Sequence, residues 1–225
     1  QKVHHFCAMD LGSFYLDIIK DRQYTAKGDS LARRSAQTAM FHVMEALVRW
    51  LAPITSYTAD EIWQYMPGER SDSVLLETWY QGLFPLAEDA VLSNSDWEKL
   101  MAVRENVSKE LEKMRKSGVI GASLNAEVTL YCSDEYASIL NKLEDELHFI
   151  FITSKAFVLP VEDAGSDAIT TELEGLKVQV VASEYEKCVR CWHYVEDIGN
   201  HPEHPELCGR CVENIAGAGE VRKFA

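Results

Sequence analysis

Cys188-Val189-Arg190-Cys191, sixteen further residues, then Cys208-Gly209-Arg210-Cys211 is the stretch on which the reading of this chain turns. Each C-x2-C turn sets two sulfurs about 3.5–4 Å apart, and Zn²⁺ favours four such soft ligands in a tetrahedron. The sixteen-residue gap suits two knuckles closing on one ion. The intervening His201-Pro202-Glu203-His204-Pro205-Glu206 is too polar to build a core, so metal binding and folding of this tail are expected to be one event. Structural zinc contributes roughly 10–16 kcal/mol to such small modules at neutral pH. The expectation is one structural Zn²⁺ held by Cys188, Cys191, Cys208 and Cys211. The competing readings are a thioredoxin-like redox pair, or two disulfides in a secreted protein. Four sulfurs fill the tetrahedron, leaving no position for His193, His201, His204 or a catalytic water; His193 reads as a solvated or packing residue.

Working outward, the chain has 225 residues, room for more than one domain, and its 47% hydrophobic and 26% charged composition is that of a soluble protein. No apolar run approaches the ~20 residues that cross a bilayer, which excludes a membrane-spanning helix. The first residues, Gln1-Lys2-Val3-His4-His5, lack an initiator Met and a signal pattern, so a longer parent is expected. Cys7 and Cys132 each sit in an apolar pattern and read as buried thiols, which suits a reducing cytoplasm. The net charge of −14 argues against a broad, nonspecific grip on nucleic acid. Residues 133–174 hold ten acids against Lys142 and Lys155, whereas residues 99–123 hold six bases against three acids. Any contact with RNA or DNA would therefore use selected faces.

The periodicity predicts a mainly α protein: a helical bundle, a small α+β unit and the four-cysteine finger, divided at 1–94, 95–187 and 188–225. Val3, Cys7, Leu11, Phe14 and Ile18 make one helical stripe over Val3–Lys20. Gly28-Asp29-Ser30 then stops one helix and caps the next, over about Leu31–Leu51. Ala32, Ala36, Met40, Val43, Leu47 and Trp50 form its expected core face, with Arg34, Thr38, Glu45 and Arg49 opposite. Pro53 breaks it, and Thr58–Trp63 reads as a short capped helix. Residues 67–94 form a connector whose Trp79, Tyr80 and Phe84 are expected to pin it to a surface. A helix over about Asp96–Ser117 buries Leu100, Val103, Val107, Leu111 and Met114. Ala126, Val128, Leu130 and Cys132 alternate as a strand, and a helix to about Leu147 follows. Residues 149–152, 156–159 and 176–180 read as further strands.

The motifs then resemble a known family. Asp17–Arg22, Arg33–Thr38, Leu51-Ala52-Pro53-Ile54-Thr55 and Ala59–Trp63 are similar to the anticodon-binding helical domain of class I aminoacyl-tRNA synthetases, in the isoleucyl, valyl and leucyl branch. Gly118–Ala126 and the terminal cysteine pairs resemble the segments that end bacterial isoleucyl-tRNA synthetases, about the last quarter of such an enzyme. The His-Ile-Gly-His and Lys-Met-Ser-Lys-Ser signatures of the nucleotide-binding domain are missing, as is the editing domain. Lys113-Met114-Arg115-Lys116-Ser117 differs from the second signature at one position, but it lies inside an amphipathic helix and follows the bundle, so it reads as a basic helix end. No catalytic residue is expected in this chain.

The resemblance implies a part that grips the anticodon stem-loop of tRNA(Ile) beside the other domains of a monomeric, cytoplasmic synthetase that joins isoleucine to tRNA using ATP. Loop bases are recognised by stacking on aromatic or guanidinium planes and by hydrogen bonds to their edges. Arg190, Trp192 and Arg210 on the knuckle are candidates for such contacts, with Trp192 equally readable as packing the finger down. Lys27, Arg33, Arg34 and Arg49 are candidates for phosphate contacts, or else solvated and ion-paired groups, Arg49 with Glu45 at i, i+4. Trp50 and Trp63 read as core. The runner-up is a zinc-finger DNA glycosylase of the formamidopyrimidine type, disfavoured by the acidic charge, by Gln1-Lys2 where a proline nucleophile and an acid are needed, and by the bundle motifs. A noncatalytic zinc-ribbon module with a protein partner is the third reading.

Overall fold

The computed structural model describes residues 1–225. Helix α1 (Lys2–His5) runs through a π-helical stretch, Phe6–Tyr15, into α2 (Leu16–Tyr24). The expected first helix is therefore present, with a wider winding over its middle. Hydrogen bonding to i+5 changes the angle between successive side chains, so the anticipated stripe does not stay on one face. Val3 and Cys7 are exposed, and full burial begins only at Ile18 and Ile19. Cys7 is thus not the buried thiol its pattern suggests, whereas Cys132 is buried.

Helix α3 (Leu31–Leu51) starts at Ser30, whose side chain accepts the Arg33 N–H at 3.3 Å. It buries Ala32, Ala36, Ala46, Leu47 and Val48. Two of its residues differ from expectation. Glu45, assigned to the solvent face, is buried because Arg49 and Arg70 both pair with it. Trp50 is 37% exposed rather than core. Trp63, on α4 (Ser56–Tyr65), is buried between the guanidinium groups of Arg49 and Arg70, at 4.6 and 4.4 Å. Such stacking is favourable because the cations face the negative ring surface. The connector beyond is pinned only in places. Asp60 accepts the Val74 N–H at 3.0 Å and Tyr80 meets His42 at 2.5 Å, but Trp79 and Phe84 stay 71% and 81% exposed.

Helix α5 (Asn94–Lys116) opens with a reciprocal Ser93–Asp96 capping box and lays Leu100, Val103, Val107 and Leu111 into the core. Its Lys113 pairs with Glu110, and Arg115 and Lys116 with Glu112, so the basic helix end is an ion-paired surface. Strand β1 (Ala126–Cys132) is central in a four-stranded sheet of order β2-β1-β4-β3, with β2 (Lys155–Pro160), β3 (Ile169–Thr170) and β4 (Leu176–Ala182). Parallel pairing of β1 with β2 demands a crossover. That crossover is α6 (Asp134–Leu140), a 3-10 stretch over Asn141–Glu146, and α7 (Leu147–Phe151). Phe149–Phe151 is therefore helical and Ile152 is its left-handed cap, not the strand expected. A short apolar run carries no period that separates a buried strand from a buried helix; here Phe149, Ile150 and Phe151 all enter the core.

One core of 23 buried residues runs from Ile18, Ile19 and Ala36 of the bundle through α5 to the sheet, so the bundle and the α+β unit share packing. Val48, Ala52, Ala59, Trp63 and Val74 form a separate small core at the far end of the bundle. Strands β5 (Glu186–Lys187) and β6 (Tyr194–Val195) flank the first cysteine pair, and α8 (Gly209–Ala216) carries Cys211. No helix is long and apolar enough to cross a membrane.

Candidate metal centre and nucleic-acid interface

The finger is built from two turns. The Cys188 N–H donates to His193 O and the Trp192 N–H to Cys188 O, both at 2.9 Å, which curls the first pair into a knuckle. The second pair sits at the start of α8, where a Cβ on Gly209 would lie 2.8 Å from Asp197 Oδ2 and 3.1 Å from His201 Nε2. A side chain there would have to displace the Asp197 carboxylate, to which the Gly209 N–H donates at 2.7 Å.

All four cysteines are buried, and their sulfurs lie within 4.8 Å of one another. Cys191 Sγ and Cys208 Sγ are 3.7 Å apart. A tetrahedron with Zn–S bonds of about 2.3 Å has S···S edges of about 3.8 Å, so the donor set fits zinc in chemistry and size. The Cys208 N–H at 3.4 Å from Cys188 Sγ, and Arg190 Nη1 at 3.6 Å from Cys211 Sγ, supply the outer hydrogen bonds that such ligands need. No histidine belongs to the cluster. His193 is buried and packs at 5.6 Å from both His148 and Phe149, with Nδ1 at 3.2 Å from Cys191 O. These four sulfurs would hold a structural zinc ion, and as a set of four they would fill its tetrahedron.

The finger is clamped to the bundle through Asp21. Arg210 reaches Asp21 with two nitrogens, at 2.6 and 2.9 Å, and Arg222 adds a third contact at 2.7 Å. Burial alone would raise the Asp21 carboxyl, but hydrogen bonds and charge from Arg210 and Arg222 hold it well below the usual carboxylate range. Arg222 also stacks at 3.4 Å over Phe149 of α7. Glu146 accepts the consecutive N–H groups of Lys223, Phe224 and Ala225 at 2.5, 2.8 and 2.8 Å. Asp21, Glu146 and Arg222 were not singled out in the sequence, although Asp21 lies inside the Asp17–Arg22 motif. Their partners stand 77 to 201 positions away, where no local pattern points.

The candidate RNA contacts fall into two groups. Arg210 is committed to Asp21 and Glu220. Arg190 donates to Thr25 O at 2.6 Å. Lys27 Nζ donates to Gly217 O at 3.0 Å, and its N–H to Asn214 Oδ1 at 3.2 Å. Arg49 joins Glu45 to Glu77, the latter at 3.1 Å. These four tie the chain to itself. Trp192, by contrast, is 59% exposed and holds φ +68. Left-handed backbone is costly for a bulky residue, and such strain clusters at ligand-binding sites. Arg34 is exposed and Arg33 half-exposed, both without an acidic partner.

Comparison with known proteins agrees with this layout. Residues 1–130 match the family described as anticodon-binding domain of tRNA ligase, and residues 186–214 match the zinc finger found in FPG and IleRS. The chain is 59% identical over 224 residues to the isoleucine–tRNA ligase of Pseudomonas entomophila, covering 100% of this chain and 24% of that protein. It is 58% identical, with the same coverage, to those of Methylococcus capsulatus and Pseudomonas putida. The chain thus spans about a quarter of the length of these curated relatives. The finger is common to two protein types, but the match over the first 130 residues separates them. With a helical bundle and a four-cysteine finger joined in this order, the chain belongs to the family of anticodon-binding domains of tRNA ligases.

Proposed function

We propose that this chain is the tRNA-gripping C-terminal part of an isoleucine–tRNA ligase, and that its RNA partner is the anticodon stem-loop of tRNA(Ile). The parent would join isoleucine to that tRNA using ATP at a catalytic domain outside this stretch, in a cytoplasmic monomer. The observation that carries the reading is Trp192, exposed and held in left-handed backbone by a metal-ready knuckle. A rigid platform loses little entropy when a base stacks on it. Arg190 and Arg210 act behind it, fixing the knuckle against α2, while Arg33 and Arg34 offer phosphate contacts from α3.

The test is a titration of the zinc-loaded chain with the isoleucine anticodon stem-loop, against the valine one, with and without a chelator. The expected result is tighter binding of the isoleucine loop, lost when zinc is removed. Equal binding of both loops reduces the role to tRNA docking without reading. No binding of either refutes it.

A further inference from the structure

Residues 222–225 follow α8 by way of Gly217-Ala218-Gly219 and form no helix or strand. Gly219 holds φ +94, and a Cβ there would lie 3.1 Å from that of Lys27, so the turn out of α8 needs glycine. Val221 is exposed, yet Arg222 and Ala225 beyond it are buried again. An irregular segment has no ladder for its N–H groups. Glu146 supplies the acceptors instead: Lys223 donates to Oε1 at 2.5 Å, Phe224 and Ala225 to Oε2 at 2.8 Å each. Arg222 donates from Nε to Ala225 O at 2.5 Å and from Nη1 to Asp21, and its plane covers Phe149. Phe224 and Ala225 pack on the main core. Lys223 pairs with Glu144, but both ends of that pair are more than half exposed, so it adds little. The segment is thus held by its backbone, one arginine and one aromatic ring, as a bound peptide is.

Its seat can also stand empty. Arg22 is buried, its Nε and Nη2 have no hydrogen-bond partner, and Nη2 lies 3.9 Å from Glu146 Oε2. A buried donor without a partner is costly. Arg22 gains one when the Phe224 and Ala225 N–H groups leave that oxygen. Asp21 keeps both nitrogens of Arg210 after Arg222 departs. We propose that residues 222–225 are a detachable strap, seated on Glu146, Asp21 and Phe149 as a basic-aromatic peptide ligand, and that seating it locks the finger to the bundle and the sheet unit. The same site then accepts this sequence as a separate peptide.

Hydrogen exchange of the wild-type, zinc-loaded chain is the first arm. The amides of residues 223–225 should exchange about tenfold or more slowly than in the free peptide, and about tenfold or more rapidly than those of Val128 and Leu130. No protection means the strap is not seated, and exchange at the pace of the core means it does not detach; either overturns the proposal. In the second arm a labelled peptide of residues 221–225 is titrated against Arg222→Ala/Phe224→Ala. A tethered strap acts at an effective concentration of roughly millimolar, so the peptide should bind this variant about tenfold or more tightly than wild type, whose own strap competes. Protection of α8, lowered in the variant, should return with the peptide. Adding Glu146→Gln should weaken the peptide about tenfold, because a neutral amide accepts N–H groups less strongly than a carboxylate. Equal binding to wild type and variant, or binding indifferent to Glu146, overturns the site; an α8 unchanged in the variant overturns the lock. Should the double variant not fold, Phe224→Ala replaces it, since Phe224 is only partly buried.

Discussion

Replacing Asp21 by alanine should release the finger from the bundle. Asp21 accepts three guanidinium hydrogen bonds of 2.6 to 2.9 Å from Arg210 and Arg222, and its side chain is only 13% exposed. Removing one member of a buried ion pair costs about 3–5 kcal/mol, because the partner's charge is left uncompensated. Arg210 retains Glu220 at 3.2 Å, whereas Arg222 has Glu220 only at 3.8 Å, so the lower end, about 3 kcal/mol, is expected. In a chain of this length that corresponds to a drop of about 6–12 °C in Tm. None of the four sulfurs depends on Asp21, so a colorimetric zinc assay should still find one ion per chain. Hydrogen exchange should rise in α2 and in residues 220–225. The double variant Asp21→Ala/Arg210→Met should recover part of the loss, since it removes one stranded charge. A Tm within about 2 °C of wild type, or zinc lost together with Asp21, would refute the clamp.

Four further substitutions separate the remaining roles. Cys208→Ala should abolish zinc binding and open residues 188–225 to limited proteolysis, while the sheet core around Leu130 and Val178 keeps its protection; a finger that stays resistant would deny that metal holds it. Arg34→Glu should weaken stem-loop binding and lower the salt slope by about one, whereas Arg49→Met should cost about 3 kcal/mol of stability and leave that slope unchanged, because Arg49 faces Glu45 and Glu77; the opposite pattern would exchange their roles. Burial, with the charges of His193 and Arg210, holds His148 down at about 3. The unfolded chain takes up that proton below about pH 6.5 and the folded one does not, so stability should fall by about 1–2 kcal/mol between pH 6.5 and 5. The loss continues until pH approaches the folded value. Denaturation curves of His148→Gln should lack that component, and parallel curves for the two proteins would count against it.

Much of the framework was legible in the residues. Ser30 and Ser93 mark two helix starts, and the alternation Ala126, Val128, Leu130, Cys132 is the central strand. These features are local: a cap or a period is complete within one element. What failed was not local. Glu45 reads as a solvent-facing acid until Arg70 arrives from a loop 25 residues away. Phe149–Ile152 carries no period, so only its surroundings make Phe149–Phe151 the end of a helix. The stripe through Val3, Cys7 and Leu11 presumes an α-helical angle that the π-helical stretch does not keep.

The candidate site divides in the same way. By itself the sequence pointed to the zinc centre, because four thiolates in two C-x2-C turns suit tetrahedral zinc better than a redox pair or two disulfides, wherever the finger sits. Only the tertiary structure decided which neighbouring groups hold the finger and which are left to meet RNA. Arg190, Trp192 and Arg210 stand within the same two knuckles, yet Asp21 and Thr25 take the two arginines, while the indole stays 59% exposed with only Lys187 Nζ over its ring at 5.1 Å. A guanidinium serves whatever acceptor the fold brings within reach, and that choice is made across 165 and 189 positions of chain.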